Sequence, residues 1–295
     1  MFPTQALETW QCPDYPPSIT NCAINDAPTI AGLISVLQKY VSLPDSVVSR
    51  ERKAAWAAFL ATIPPLPQSG GTLQPCAVCP PSTSNVENAE LYSVHPYRLF
   101  TVGRQAGDAS FSLEPALAAF AAKRFTEDIG WDQNAMDAAL LGLTVETRSY
   151  VEARAYTPPA PGYRFPTMAP HNQDYPPSSD HFAVFANALT YMLMQPLDIV
   201  GGEGVGAAAN NTPGEGRESG GVVLFPTWPC DWDVKFRLHA PRGVVVEGEL
   251  RGGALVFLTV SPPERRSAVV VHKCTEILDA SEKKITNVHI SLKWE

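Results

Sequence analysis

The side chain best placed to do chemistry is Asp180, near the start of residues 178–195, SSDHFAVFANALTYMLMQ. Phe182, Phe185, Leu189, Met192 and Leu193 follow it at three- and four-residue spacing, which predicts a helix with one apolar stripe facing a core. Pro196 ends the run because proline cannot continue the hydrogen-bond ladder. Asp180 then has two readings. It is an N-cap accepting orphan backbone N–H groups, or it is a catalytic carboxylate held on a rigid element. The remaining candidates are carboxylates, histidines and tryptophans at predicted helix ends. His95 and Arg98 lie in SVHPYRLF, and Trp131 is flanked by Asp128 and Asp132. His95 reads as a ligand-binding histidine or as one hydrogen-bonded within the core. Trp131 reads as the floor of a sugar subsite or as core, and either aspartate beside it could simply cap the following helix. As an inventory this suits sugar chemistry, in which carboxylates act as acid and base while aromatic rings stack on pyranose faces.

Several other chemistries lack their motifs. The chain has no glycine-rich phosphate loop, no HExxH and no GxSxG. Cys76-Ala-Val-Cys79 is a single CxxC without a second pair at zinc-finger spacing, so a loop disulfide or two thiols compete with a metal site there. Cys12 and Cys22 flank a proline-rich loop and could bridge. His171, Asn172 and Asp174 crowd a loop, with no ligand spacing fixed by an element. No metal and no organic cofactor is expected.

The elements that must position these groups read as helical for the first two thirds of the chain. Helices are predicted over residues 28–41, capped by Asp26, and from Ser49 with Trp56, Phe59, Leu60 and Ile63 inward. A short one over 91–102 carries His95, Tyr97 and Arg98. Others follow over 114–125, from Gly130-Trp131 onward, and over 144–155. Helix follows helix with no strand between, which predicts a mainly α fold, a partial α/α toroid of helical hairpins spanning residues 1–200. Residues 201–221 are low-complexity and read as a flexible insertion, containing an Asn210-Asn-Thr sequon. From Val222 the period changes to two. Trp232, Val234, Phe236 and Leu238 alternate with polar residues, and Arg251-Gly252-Gly253 reads as a hairpin turn. Residues 222–295 are therefore expected to form a small C-terminal antiparallel β-sandwich.

Composition narrows the partners. In 295 residues the net charge is −8, which argues against nucleic acid. No apolar run reaches the ~18–20 residues that span a bilayer. Twenty-eight prolines, many in pairs, predict short elements joined by stiff loops. The chain enters a loop at once, so sequence upstream or a partner chain is expected to complete it.

In order along the chain, these motifs resemble the catalytic region of the six-hairpin, (α/α)6-barrel glycoside hydrolases, closest to glycoside hydrolase family 95, with its inverting α-L-fucosidases. SDHFAVFANALTYMLMQ followed by VVLFPTWPCDW is similar to the family's IDGNFGATAGIAEMLLQ followed by LLPALP and a tryptophan. SVHPYRLFTVG resembles SHLYGLYPG, and GWDQNAMDAALLGL resembles the family helix that begins Gly-Trp. PTQALETW resembles the family's PSxSPEN. The resemblance implies that Glu8 is the general acid and Asp180 the general base. It also implies that His95, Arg98, Trp131, Asp128 and His181 bind substrate, an oligosaccharide or glycoconjugate. His181 fills a glycine position of the family motif, and the family's water-polarising asparagines have no counterpart. An inverting pair would stand roughly 6.5–9.5 Å apart. The other reading of the same residues is a non-catalytic carbohydrate-binding or structural remnant.

Overall fold

The computed structural model describes residues 1–12, 21–107, 110–128, 130–156, 158, 162, 164, 179–197 and 221–272. They divide into two compact units. The described residues of Met1–Phe100 and Ser110–Phe125 belong to the first, and those of Thr101–Ala109, Thr126–Asp198 and Gly220–Glu295 to the second.

In the first unit, strand β1 (Ile24–Asp26) runs directly into helix α1 (Ala27–Ser42). Asp26 stays extended, and its side chain accepts the Thr29 N–H at 2.8 Å, with Pro28 in the first turn where no donor is needed. Helix α2 (Arg50–Leu60) starts at Ser49, whose side chain accepts the Arg52 N–H. It lies against α1, with Trp56 tilted on Tyr40 at 4.3 Å between ring centroids. The inward face expected for α2 is not buried: none of its residues is, and Phe59 is 49% exposed. Strands β2 (Gln68–Ser69) and β3 (Thr72–Leu73) form a hairpin, and β4 (Cys76–Val78) pairs antiparallel with β1. A 3₁₀ turn (Ala89–Ser93) packs on α1. Helix α3 (Val102–Gly107) belongs to the second unit, whereas α4 (Glu114–Ala122) returns to the first and packs on β3 and the 3₁₀ turn. The single helix expected over 91–102 does not form. Pro96 offers no N–H to a helix and Arg98 sits at φ 57°, so the chain turns through His95–Leu99 before α3 begins.

In the second unit α5 (Asn134–Leu141) is buried on every side and contacts both α6 (Thr144–Tyr156) and α7 (Ser179–Leu193). Gly142 closes α5 at φ 86°, where its N–H reaches the carbonyls of Ala138 and Ala139. The buried stripe of α7 is His181, Val184, Ala188, Met192 and Leu193, one residue out of phase with the expected stripe over its first turns. Phe182 is 46% exposed. Strand β5 (Met194–Pro196) leaves the helix at once and pairs antiparallel with β6 (Val222–Leu224). Strands β7 (Val234–Ala240), β8 (Val244–Arg251) and β9 (Ala254–Ser261) make an antiparallel meander. The β8–β9 turn is Gly252-Gly253, both at positive φ, as hairpin twist requires. Strand β10 (Val269–Val271) lies parallel to β6 on its other edge.

These elements correct the expected fold class. Among the described residues seven α-helices stand beside ten strands, and four of those strands fall in the first hundred residues. The chain is not a mainly α toroid. Strands of two or three residues show no alternation, so periodicity could not reveal them. The C-terminal sandwich is corrected as well. One of its sheets takes a strand from before residue 201 and holds a parallel pair, β6–β10. The expected insertion 201–221 lies almost wholly outside the described residues, as do His171, Asn172, Asp174 and the predicted strand near the end of the sequence.

Candidate functional site

Four of the predicted residues belong to the second unit, where hydrogen bonds through Arg154 tie their two sequence segments together at the start of α7. Asp180 sits exposed in the first turn of α7, and His181 beside it is fully buried. The His181 Nδ1 accepts the Gly130 N–H at 3.0 Å, and Arg154 Nη1 lies 3.2 Å from the same nitrogen. Two donors on Nδ1 fix the imidazole as neutral with its proton on Nε2, which faces the Arg154 carbonyl. Burial, with the adjacent guanidinium, pulls its pKa down to about 4.

Arg154, near the end of α6, holds this arrangement together. It is fully buried, and its Nε donates to Asp128 Oδ2 at 2.6 Å. Its two terminal nitrogens donate to the carbonyls of Gly130 and Asp132. The other Asp128 oxygen accepts the Ala135 N–H at the start of α5. Trp131, half-buried, therefore sits in a loop pinned on both sides. Asp128 is not the N-cap of α5, which is Gln133, but its carboxylate accepts the Ala135 N–H of the first turn and pairs the Arg154 charge in a buried setting. Arg154 was not singled out by sequence. Its partner is 26 residues away, and an arginine in the last turn of an amphipathic helix reads as a solvated end.

Glu8, His95 and Arg98 belong to the first unit. Glu8 is exposed, and its carboxylate accepts a hydrogen bond from Asn85. His95 is half-buried, and burial with the Arg98 charge lowers its pKa to about 4.

The same unit holds a cleft of ≈ 360 Å³, whose wall includes Trp10, Gln74, Glu87, Asn88, Glu90 and Arg124. That volume lies at the small end of the ~300–1,000 Å³ typical of small-molecule sites. Its wall is built by cross-links between distant segments. Asn88 donates to the Phe125 carbonyl at 2.7 Å and accepts the Phe125 N–H at 3.1 Å, which fixes the end of the α4 segment beside the 3₁₀ turn. The Glu87 N–H donates to Thr9 Oγ1, and the Glu87 carboxylate accepts from the Thr9 hydroxyl, the Glu8 N–H and the Tyr92 hydroxyl. Glu90 is half-buried, and desolvation pushes its pKa up to about 7. Cys79, bridged to Cys76, lies on the same wall. The bridge shows that the CxxC reads as a disulfide. A second bridge joins Cys12 to Cys22.

Glu8, His95 and Arg98 do not line this cleft, whereas Glu87 and Glu90, which sequence reasoning passed over, do. NVENAELYS offered a signal in retrospect: two glutamates three residues apart, one of them between apolar neighbours at the start of a helical turn. Among the described residues no cluster of histidine, cysteine, aspartate or glutamate suits a metal ion, and no helix is long and apolar enough to cross a membrane. No protein-family model matches the chain, and no curated protein matches it.

Proposed function

We propose that the protein is a carbohydrate-active hydrolase that cleaves a terminal α-linked sugar, α-L-fucoside-like, by acid–base chemistry with inversion. The observation that carries this reading is the cleft of the first unit. Its lining includes two aromatic residues (Trp10 and Phe125), two with neutral amide side chains (Gln74 and Asn88) and two glutamates, around a space of sugar size. One of those carboxyls, Glu90, keeps its proton toward neutral pH because it is desolvated. Hydrolysis of an acetal needs such a proton donor for the leaving oxygen and a second carboxylate to take a proton from water. The motif resemblance supplies a further assignment, Glu8 as acid and Asp180 as base. The amide variant of Asp180 tests that assignment.

A panel of nitrophenyl glycosides assayed with wild type and Asp180→Asn tests the reading. If Asp180 is the base, the substitution lowers kcat by about 100-fold or more. Unchanged turnover removes Asp180 from the mechanism. A second reading, a carbohydrate-binding protein without turnover, is favoured by the exposure of Glu8, which gives that carboxyl no desolvated setting. Sugar binding with no hydrolysis of any glycoside in the panel selects it.

A further inference from the structure

We propose that the first unit carries a self-sufficient acid–base pair in this cleft, with Glu90 protonating the glycosidic oxygen and Glu87 taking the proton from the attacking water. The inference rests on the reading of the substrate as a sugar and goes beyond it by moving the chemistry to two residues that the motif resemblance does not assign. Three observations converge. Glu87, Glu90 and Trp10 all line the same cleft, so a sugar held there would lie within reach of an indole and two glutamates. Their environments differ. Glu87 accepts hydrogen bonds on both oxygens, from Thr9, Glu8 and Tyr92. Glu90 is half-buried and pushed up to about 7, which suits a proton donor. The backbone between them is anchored, since Glu87 is tied to buried Thr9 and Asn88 to Phe125. One carboxyl that holds its proton beside another that only accepts hydrogen bonds is an arrangement that divides acid and base roles at one pH.

The step balances without a further reactant. The Glu90 O–H bond breaks as its proton passes to the glycosidic oxygen, and the bond from that oxygen to the anomeric carbon breaks, its electron pair leaving with the alcohol. A water oxygen bonds to the anomeric carbon and gives one proton to Glu87. One water is consumed, two hydroxyls are formed, and the proton on Glu87 returns to Glu90 through solvent.

The test uses the full chain with two substrates of the same sugar, a methyl glycoside, which needs leaving-group protonation, and a glycosyl fluoride, which does not. Glu90→Gln is expected to lower kcat on the methyl glycoside by about 100-fold or more with little change in KM, while the fluoride turns over within a few-fold of wild type. The basic limb of the pH profile disappears with it. Glu87→Gln is expected to lose both substrates alike, because both need the water activated. Wild-type rates on the methyl glycoside in Glu90→Gln would overturn the inference while leaving the hydrolase reading intact. If wild type hydrolyses neither compound, the hydrolase reading and the acid–base pair both fall. Calorimetric binding of the methyl glycoside then decides the cleft by itself. A roughly tenfold weakening in Trp10→Ala keeps the sugar there, and an unchanged affinity removes it.

Discussion

The two units use buried polar groups in opposite ways. At the start of α7, Arg154 links Asp128, His181 and the carbonyls of Gly130 and Asp132 in a largely buried site. In the first unit Glu90 is desolvated but faces a cleft, where a ligand can reach it. The contrast separates polarity that holds a loop in place from polarity kept open for chemistry. A buried ion pair with every hydrogen bond made is evidence for positioning, whereas a carboxyl held protonated beside an open cavity is a candidate for reaction.

The largest expected effect breaks the closed site. Arg154→Met leaves Asp128 buried without its cation and is expected to cost about 3–5 kcal/mol, read by urea denaturation of the full chain. A loss under 1 kcal/mol would mean that the loop around Trp131 is held by something else. Acid sharpens the comparison next. His181 and His95, both pulled down to about 4, bind fewer protons folded than unfolded between that value and 6.5. Their contribution to stability is thus complete above about pH 6.5 and is lost as pH falls through about 4. Glu90 runs the other way. Its raised pKa means the folded protein holds the extra proton, so its contribution is complete below about pH 4.5 and is lost as pH rises through about 7. Chemical denaturation across pH should show both limbs, with only the alkaline one absent from Glu90→Gln. Away from both sites, Asp26→Ala removes the cap of α1 and is expected to cost about 1 kcal/mol in the same assay. Smallest is Asp231→Ala. It breaks an exposed ion pair to Arg148 at 2.8 Å and should shift stability by no more than ~0–1 kcal/mol. A larger loss would show that even exposed charge is structural in the second unit.

What could be read from sequence was what a few neighbouring residues decide. The cap at Asp26, the cap at Ser49 and the Gly252-Gly253 turn depend on contacts within a few positions, and each stands where the spacing put it. The phase of α7 differs from the expected one because His181 is polar by type yet heads the buried stripe, its charge suppressed by burial and by the Arg154 guanidinium from elsewhere in the chain. The helix expected over 91–102 carries Pro96 in its middle, and the proline prevents it. The pairing of residues 24–26 with 76–78 has no local signature at all. Glu8 and Asp180 were singled out by motif and Glu90 was not, because desolvation is a property of packing.

Strand β6 has one consequence for anyone shortening this chain. Its three residues are wholly enclosed, with β5 on one side and β10, some forty-five residues later, on the other. A truncation stopping before Val269 would strip that second neighbour and leave an apolar row of unpaired amides and carbonyls. Such an edge recruits other copies of itself, so clipped versions should come out of solution while the longer chain stays in it.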